Sequence, residues 1–360
     1  MKVGIIGSGQ LGWMTILEGR KLLNEYYVLD EIAGPAARIS DRYFPVESYR
    51  SFVEKCDVIT YEFEHVNGRA LQYASKSGKL MPGLEPIELK RERILEKEYL
   101  RDHGYPVAEF EVAADAGEAK RIASRFGRAV IKSSRGGYDG KGQFFVNRSN
   151  LSSTEIEIRD RFVVEEMIDF DSEASIIASR GIDGSFRAHK PSFNLNLRGM
   201  LFYNSAPFDD CGMGSIASSV MESLNYVGVM GIEFFIRDGK AIINEIAPRV
   251  HNTGHHTLRG SSISQFEQHL RAITGLPIPE PELYTPSGVL NMIGIEMQKR
   301  LELEILAVPG TSIYWYGKKG IRKRRKVGHV NLTAGTITAL RKKTEELSRI
   351  VYPDGPEEFI

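Results

Sequence analysis

The segment Lys132–Gln143 limits most strongly how this chain can fold. It carries four glycines together with two lysines and an arginine. Apolar runs with β character flank it, Ala129–Ile131 before and Phe144–Val146 after. Glycine lets backbone N–H groups approach an anion closely, and the cationic side chains add electrostatic attraction. We therefore predict a β-hairpin whose tip closes over a phosphate group, in preference to a long flexible loop.

The chain begins with a β-loop-α-β pattern. A strand ending at Ile6 leads into Gly7-Ser-Gly-Gln-Leu-Gly12, a helix is predicted over Trp13–Leu23, and the second strand ends at Asp30. A GxGxxG turn with an acid after the second strand is typical of dinucleotide-binding folds. The spacing alone indicates only a tight turn into a helix N-terminus, where an anion is stabilised. An NAD-dependent oxidoreductase is therefore one open alternative.

A third strand, Asp57–Thr60, runs into Glu62, Glu64 and His65. Open α/β sheets bind ligands beyond the carboxyl ends of their strands. These side chains are equally consistent with a ligand site and with a polar cap on the next helix.

A charged helix is predicted over Glu88–Gly104. It places Lys90, Arg91, Arg93 and Lys97 within two turns. Charge runs of this kind favour a solvent-exposed helix face.

The dipeptide Asp238-Gly239 separates two apolar runs and predicts a β-hairpin. A two-residue turn would pair Glu233 with Asn244 and would turn Glu245 to the opposite face. A three-residue loop would place Glu233 and Glu245 on one face, because side chains alternate along a strand. Two convergent carboxylates beside a phosphate-binding loop suit Mg²⁺. The alternative, a surface acid and a salt bridge, stays open until the loop length is known.

The hairpin is followed by Pro248-Arg-Val-His-Asn-Thr-Gly-His255. The spacing of His251 and His255 allows a zinc site, but the proline and Gly254 favour a loop, and no third ligand has a diagnostic spacing. A loop offering Arg249, His251 and Asn252 as hydrogen-bond donors to an anion fits the residues better.

Chain-wide features exclude several classes of function. Forty-seven basic residues balance forty-seven acidic ones, which argues against a nucleic-acid or membrane partner. The basic run Lys318–Lys326 is too isolated to change this, and a lysine or two reaching a substrate phosphate is the better interpretation. Two cysteines, no leader pattern and no long apolar run predict a cytoplasmic protein. The proline-rich Pro277–Pro281 predicts a linker.

Taken in order, these motifs resemble those of the 5-(carboxyamino)imidazole ribonucleotide synthetase family, the ATP-grasp enzymes of purine biosynthesis. The resemblance covers nearly the whole chain, and five weak motifs in the family's order are together specific. The motifs are Gly7-Ser-Gly-Gln-Leu-Gly12, Glu62-Phe-Glu-His65, Gly136-Gly-Tyr-Asp-Gly-Lys-Gly-Gln143, Asn244-Glu-Ile-Ala-Pro-Arg-Val-His-Asn252 and Arg325-Lys-Val-Gly-His329.

The resemblance implies an α/β protein, α+β in its centre, with three parts. Residues 1–88 would form a Rossmann-like domain without a dinucleotide, residues 89–276 an ATP-grasp domain, and residues 277–360 a small, mainly β domain. A homodimer is expected from the family. The implied reaction joins ATP, bicarbonate and 5-aminoimidazole ribonucleotide through carboxyphosphate, with Mg²⁺ (or Mn²⁺), and releases ADP and phosphate.

The resemblance also implies residue roles. The metal ligands would be Glu233 and Glu245. The residues around the reacting groups would be Arg249, His251, Asn252 and Lys326. The ribonucleotide or intermediate would meet Glu62, Glu64, Tyr138, Lys141 and Arg325. The ATP contacts would be Arg93, Lys132, Gly137, Tyr138, Asp139, Gly140, Lys141, Gly142, Gln143, Glu165, Glu166, Met167, Ile168, Glu173, Asn244 and Glu245.

The chain departs from the family pattern at three places. Trp13 and Lys141 stand where arginine is usual, and Asn194-Leu-Asn196 replaces a segment that usually carries histidine. Lysine lacks the bidentate fork of arginine, so the contact geometry at Lys141 is altered. An ATP-grasp ligase with another acceptor is the nearest alternative function.

Overall fold

The structure is a computed structural model that describes residues 1–136, 142–318 and 320–360. Five predicted contact residues lie outside the described residues: Gly137, Tyr138, Asp139, Gly140 and Lys141. Within the described ranges, no helix combines the length and the apolar character needed to cross a bilayer.

The first part of the chain is a four-stranded parallel sheet in the order β3-β2-β1-β4, with helices packed against it. Its first, second and fourth strands are buried almost throughout, as expected for parallel strands covered on both faces. The elements are β1 (Lys2–Ile6), α1 (Gln10–Gly19), β2 (Glu25–Asp30), β3 (Arg42–Pro45), α2 (Tyr49–Lys55), β4 (Val58–Tyr61), α3 (Gly68–Lys76) and α4 (Leu84–Arg91).

A smaller antiparallel sheet follows, in the order β5-β8-β6-β7. The predicted hairpin is confirmed, and its last pair before the glycine-rich tip joins Lys132 to Gln143. The elements are α5 (Arg93–Asp102), β5 (Phe110–Ala113), α6 (Ala116–Phe126), β6 (Arg128–Ser133), β7 (Gln143–Asn147) and β8 (Phe162–Glu166).

The prediction of one charged helix over residues 88–104 is wrong, because α4 and α5 are separate. Glu92 between them is extended, with φ −126° and ψ 103°. Its carboxylate accepts a hydrogen bond from Arg135, and the next residue, Arg93, donates its backbone N–H to Ser134 O. These contacts to the glycine-rich hairpin replace helical hydrogen bonds at the break.

The largest sheet has nine strands and runs β14-β13-β9-β11-β12-β15-β17-β16, with β10 beside β9. The strands of the predicted third domain extend it, since β12 pairs with β15. Two helices accompany those strands. The elements are β9 (Ser172–Arg180), β10 (Phe186–Ala188), β11 (Ser192–Leu197), β12 (Met200–Ala206), α7 (Met213–Ser223), β13 (Gly228–Arg237), β14 (Lys240–Ala247), α8 (Thr257–Gly260), α9 (Gln265–Ile273), β15 (Ser287–Ile293), α10 (Lys299–Ala307), β16 (Thr311–Trp315), β17 (Lys326–Thr333) and α11 (Ile337–Val351).

Strand β13 separates the core from the polar face of the large sheet. Met230, Ile232 and Phe234 belong to the buried cluster that includes α7. Because side chains alternate along a strand, Glu233 points to the opposite face. The fold thus places one acid of the predicted metal pair on that polar face.

We expect Gly19→Ala to destabilise the contact between the first sheet's helix α1 and α9. A Cβ at Gly19 would overlap the Tyr26 hydroxyl and lie 2.5 Å from Leu270 Cδ1, whereas a Cβ at Gly335 would meet nothing within 4 Å. Overpacking of this kind costs about 1–3 kcal/mol. Denaturant unfolding should therefore show a lower free energy of unfolding for Gly19→Ala than for Gly335→Ala. Equal stability of the two variants would contradict this packing.

Candidate active site

Glu233 and Glu245 lie directly opposite each other, although the turn of their hairpin has only two residues. Arg237 pairs with Lys240, which leaves Asp238 and Gly239 as the turn, with φ of 51° and 69°. That turn alone would send Glu245 to the other face. A bulge corrects the register, because Phe234 pairs with Ile243 and Glu233 then pairs with Glu245.

The extra residue in the bulge is Asn244. The carboxylates therefore converge as the three-residue alternative required, but a β-bulge produces the convergence. Sequence spacing offered no sign of this bulge, since hairpin rules concern only the turn.

The two carboxylates and His251 form a cluster whose ligand atoms lie within 4.8 Å of one another. His251 Nε2 is 3.5 Å from Glu233 Oε1, and Glu245 Oε2 accepts a 2.9 Å hydrogen bond from Lys90 Nζ. Lys90 also faces Glu96, whose other oxygen accepts the backbone N–H of Ile246. Lys90 is therefore shared between Glu245, a carboxylate of the cluster, and Glu96, a carboxylate that also holds the backbone of β14.

The electrostatic environments of the paired carboxylates differ. Burial, together with the charges of Glu245 and Glu173, raises the pKa of Glu233 to about 8. Burial also opposes ionisation of Glu245, but Lys90 outweighs it and holds the pKa of Glu245 below its usual value. Lys90 thus stabilises the negative charge of Glu245, whereas Glu233 tends to stay protonated.

A second cluster lies at the base of the glycine-rich hairpin. Glu165 on β8 pairs with Lys132 Nζ at 2.9 Å and with Lys97 Nζ at 3.4 Å. Burial would raise the pKa of Glu165, but the two lysines lower it to about 2. Arg93 adds positive charge nearby and donates to Ser133 O. Three cations around one carboxylate leave a positive excess that suits an anion.

The prediction of a solvated face is wrong for Lys97, which is buried, and for Lys90, whose side chain is only 14% exposed. The Lys97 side chain is 2% exposed, and its Nζ makes no hydrogen bond within the described part of the chain. A signal was available, because Lys97 lies three residues from both Ile94 and Leu100, which are buried on the same helix face. A lysine in an apolar stripe is more informative than the total charge of the helix.

The predicted ATP contacts Glu165–Ile168 cover the last two residues of β8 and the two residues after it. The Glu165 carboxylate accepts a hydrogen bond from Lys132, and Met167 N–H donates to Arg128 O. Glu173 on β9 accepts a 3.0 Å hydrogen bond from Asn196, one of the residues that replace the family's usual segment. Burial raises the pKa of Glu173.

The glycine-rich turn of the first sheet is closed by the chain's own carboxylate. Glu62 accepts hydrogen bonds from the backbone N–H groups of Gly9 and Gly12, and Asp30 accepts one from Ser8 at 2.7 Å. A Cβ at Gly9 would lie 2.5 Å from Glu62 Oε1. The helix N-terminus that would bind a pyrophosphate is therefore filled, which argues against the oxidoreductase alternative.

The loop after β14 joins the first sheet to the carboxylate pair. Arg249 Nη2 is 2.8 Å from the buried Glu64 carboxylate, and the ring of His251 reaches Glu233. Burial lowers the pKa of His251 well below its usual value, and Arg249 lowers it further. Asn252 Nδ2 is buried without a hydrogen-bond partner among the described residues. The predicted donors are thus brought together.

The basic run Lys318–Lys326 reaches this site through its last residue, Lys326, at the start of β17. Its charge lowers the pKa of both Glu233 and His251, although burial dominates the pKa of each group. Lys318 Nζ donates to Lys326 O at 3.0 Å. Arg325 instead donates to Gly320 O within its own loop.

Three family models match consecutive parts of the chain. The ribonucleotide synthetase preATP-grasp domain matches residues 1–90, the ATP-grasp domain residues 98–266, and the phosphoribosylaminoimidazole carboxylase C-terminal domain residues 287–343. The three kinds of domain follow the predicted order.

Curated and solved proteins are similar over nearly the whole chain. The N5-carboxyaminoimidazole ribonucleotide synthase of Saccharolobus solfataricus is 46% identical over 358 residues, 98% of this chain and 97% of its own. The N5-carboxyaminoimidazole ribonucleotide synthetase structure from Thermus thermophilus has a TM-score of 0.88 at 31% identity, covering 97% and 98% of the two chains. The synthase structure from Aspergillus clavatus with ADP and 5-aminoimidazole ribonucleotide has a TM-score of 0.88 at 28% identity and covers 98% of each chain.

The raised pKa of Glu233 predicts a measurable pH dependence of stability in metal-free protein. The folded state holds a proton on Glu233 between its ordinary pKa of 4.5 and about 8, and the unfolded state does not. Stability contributed by this group therefore falls as pH rises through that window, by about 1.4 kcal/mol per pH unit. Glu233→Gln removes this dependence.

Denaturant unfolding at a series of pH values, with a chelator present, measures the effect. The buried histidines act in both proteins, so the difference between wild type and Glu233→Gln isolates the carboxyl group. The stability of the variant should rise relative to wild type with increasing pH. Parallel stability curves would show that Glu233 titrates normally.

Proposed function

The chain belongs to the N5-carboxyaminoimidazole ribonucleotide synthase family, and on that premise we propose how its residues carry out the family's reaction. The enzyme is an ATP-grasp ligase of purine biosynthesis that carboxylates 5-aminoimidazole ribonucleotide at the expense of ATP. The observation that carries the proposal is the juxtaposition of the Glu233–Glu245 carboxylate pair and the Arg249–His251 loop.

Bicarbonate attacks the γ-phosphorus of ATP, the bond to the β-phosphate oxygen breaks, and ADP leaves. The product, carboxyphosphate, separates into CO₂ and phosphate. The exocyclic amine of the ribonucleotide then attacks CO₂ and loses a proton to give the carboxyamino product. Phosphoryl transfer of this kind needs positioning and charge stabilisation, and no covalent protein nucleophile.

The buried Lys132 and Lys97 and the partly buried Arg93 bind the phosphates of ATP. The three positive charges outnumber the single negative charge of Glu165. An incoming phosphate is therefore attracted to these cations while their ion pairs with Glu165 stay in place. Glu165 orients both lysines. The expected cover over the phosphates, residues 137–141, lies outside the described residues.

Of the remaining predicted ATP contacts, Gln143 and Glu166 lie on β7 and β8 of the sheet that also carries Lys132, and Gly142, Met167 and Ile168 lie next to those strands. Glu173 and Asn244 lie on β9 and β14 of the large sheet.

Glu233 and Glu245 would hold Mg²⁺ or Mn²⁺. The residues fit such an ion, because the repulsion between two adjacent, partly buried carboxylates, which raises the pKa of Glu233, would be relieved by a bound cation. When bound, the metal neutralises charge on the transferring phosphate. Lys90 favours the ionised form of Glu245, and Glu233 would give up its proton to act as a ligand.

Arg249, His251, Asn252 and Lys326 surround the carboxyphosphate and the amine. Arg249 is oriented by Glu64 and carries a fixed positive charge. The lowered pKa of His251 favours the neutral imidazole, which can form a hydrogen bond with the amine. Glu62, Glu64 and Arg325 border the ribonucleotide, whereas the predicted contacts Tyr138 and Lys141 lie outside the described residues.

Two further expectations come from the family resemblance. The enzyme acts as a homodimer, and it works in the cytoplasm, where both of its free cysteines stay reduced. Among ATP-grasp ligases with other acceptors, the pairing of the Arg249–Asn252 loop with Lys326 favours the bicarbonate-dependent reaction.

ADP release tests the proposed reaction directly. We expect ATP cleavage to be stimulated by bicarbonate and 5-aminoimidazole ribonucleotide together, because the amine removes the CO₂ that carboxyphosphate delivers. A coupled ADP assay with each component omitted in turn measures this. Absence of stimulation by either component would refute the proposed substrates.

Glu245→Gln should abolish bicarbonate-dependent ATP cleavage while the protein stays folded. The substitution keeps the side-chain shape and removes a charge at the transferring phosphate, so we expect a loss of about 10²-fold or more in kcat. Glu222→Gln, on an exposed part of α7, is the control. Near-normal turnover of Glu245→Gln would overturn the metal assignment.

A further inference from the structure

The loop that carries His251 has little secondary structure to hold it. Residues 248–256 contain a single 3-10 turn, Asn252–Gly254, between β14 and α8. Its backbone lies in the buried interior, so its N–H and C=O groups need partners from other elements.

Gln265, the first residue of α9, holds His251 by both backbone groups. The fully buried side chain accepts the His251 N–H at 2.8 Å through Oε1 and donates to His251 O at 2.6 Å through Nε2. Nε2 also lies 3.2 Å from His255 Nδ1. Because the His251 N–H requires an oxygen at Oε1, the amide orientation is fixed, and His255 Nδ1 is the acceptor.

Close packing leaves no freedom between Gln265 and the loop. A Cβ at Gly254 would lie 2.5 Å from Gln265 Cδ and 2.8 Å from Nε2. On the sheet side, Asn204 of β12 donates to Thr253 O at 2.5 Å and Asn331 of β17 donates to His255 O at 2.8 Å. Three buried amides from three elements therefore hold alternate residues of the loop.

The backbone of His251 in turn decides where its ring lies. Its Nδ1 is 2.9 Å from Thr253 Oγ1, and its Nε2 is 3.5 Å from Glu233 Oε1. His251 Cβ packs against Gly231 on β13, where an added Cβ would lie only 2.6 Å away. A shift of the loop backbone would move the imidazole away from the carboxylate pair.

We propose that Gln265 is a positioning residue that sets the imidazole of His251 beside Glu233 by gripping the His251 backbone. The proposal rests on the function proposed above for His251. Gln265 touches neither substrate nor metal in this role, and it acts on the rate of turnover. Misplacement of a catalytic group by about 1 Å lowers rates by about 10²-fold.

Gln265→Met tests the grip, and Gln268→Met is the matched control. Both glutamines are fully buried on α9, but Gln268 donates instead to Pro279 O in the linker, at 3.2 Å. We expect Gln265→Met to lose about 10²-fold in kcat with an unchanged KM for ATP. Gln268→Met should keep wild-type kcat, although thermal unfolding should show comparable destabilisation. An equal loss of kcat in the two variants would show a merely structural role and overturn the proposal.

His251→Ala and the double variant with Gln265→Met separate this proposal from the proposed function. If Gln265 acts through His251, Gln265→Met should lower kcat no further in the His251→Ala background. Full activity of His251→Ala would refute the proposed role of His251. A low kcat of His251→Ala with normal kcat of Gln265→Met would refute the grip alone.

Gln265→Glu provides the test if Gln265→Met does not fold. Glutamate has the same shape and keeps the acceptor for the His251 N–H, but it loses both donated hydrogen bonds. We expect a folded Gln265→Glu protein with lowered kcat and an unchanged KM for ATP. Wild-type kcat in that protein would overturn the proposal.

Discussion

The enforced closeness of two partly buried carboxylates, Glu233 and Glu245, is the constraint on which the rest of the site depends. A single inserted residue, Asn244, turns Glu245 onto the face of Glu233. Partial burial strengthens the resulting repulsion, which Lys90 relieves at Glu245 and which raises the pKa of Glu233. The pair therefore favours a bound cation, whereas the lysine cluster around Glu165 favours a bound anion. A nucleotide triphosphate with a divalent cation satisfies both clusters at once.

The other parts of the chain contribute by holding these charges in place. Arg249 is oriented by Glu64 from the first sheet, and Lys326 enters from the strand that ends the basic loop. The break between α4 and α5 lets Lys90 and Lys97 point inward to different carboxylates. Each charged group is thus supplied by a different element, so the site exists only when the sheets are assembled.

The glycine-rich turn of the first sheet illustrates how little a motif specifies by itself. The turn presents backbone N–H groups at a helix N-terminus, as the pattern predicts. Here Glu62 occupies them, and Asp30 holds the preceding turn. The local geometry is that of an anion site, but the anion is the chain's own carboxylate. The motif therefore does not identify its ligand. Here the ligand is Glu62, which follows the neighbouring strand β4.

Local patterns and motif order were enough to predict the order of the three parts, the hairpin around Lys132 and the family, and to single out Glu233 and Glu245 as a candidate pair. The bulge at Asn244, the inward positions of Lys90 and Lys97, and the grip of Gln265 on His251 depend on contacts between segments that are distant in the sequence. Glu245 lies 155 residues from Lys90, and the register of a strand depends on the partners it meets in the folded sheet.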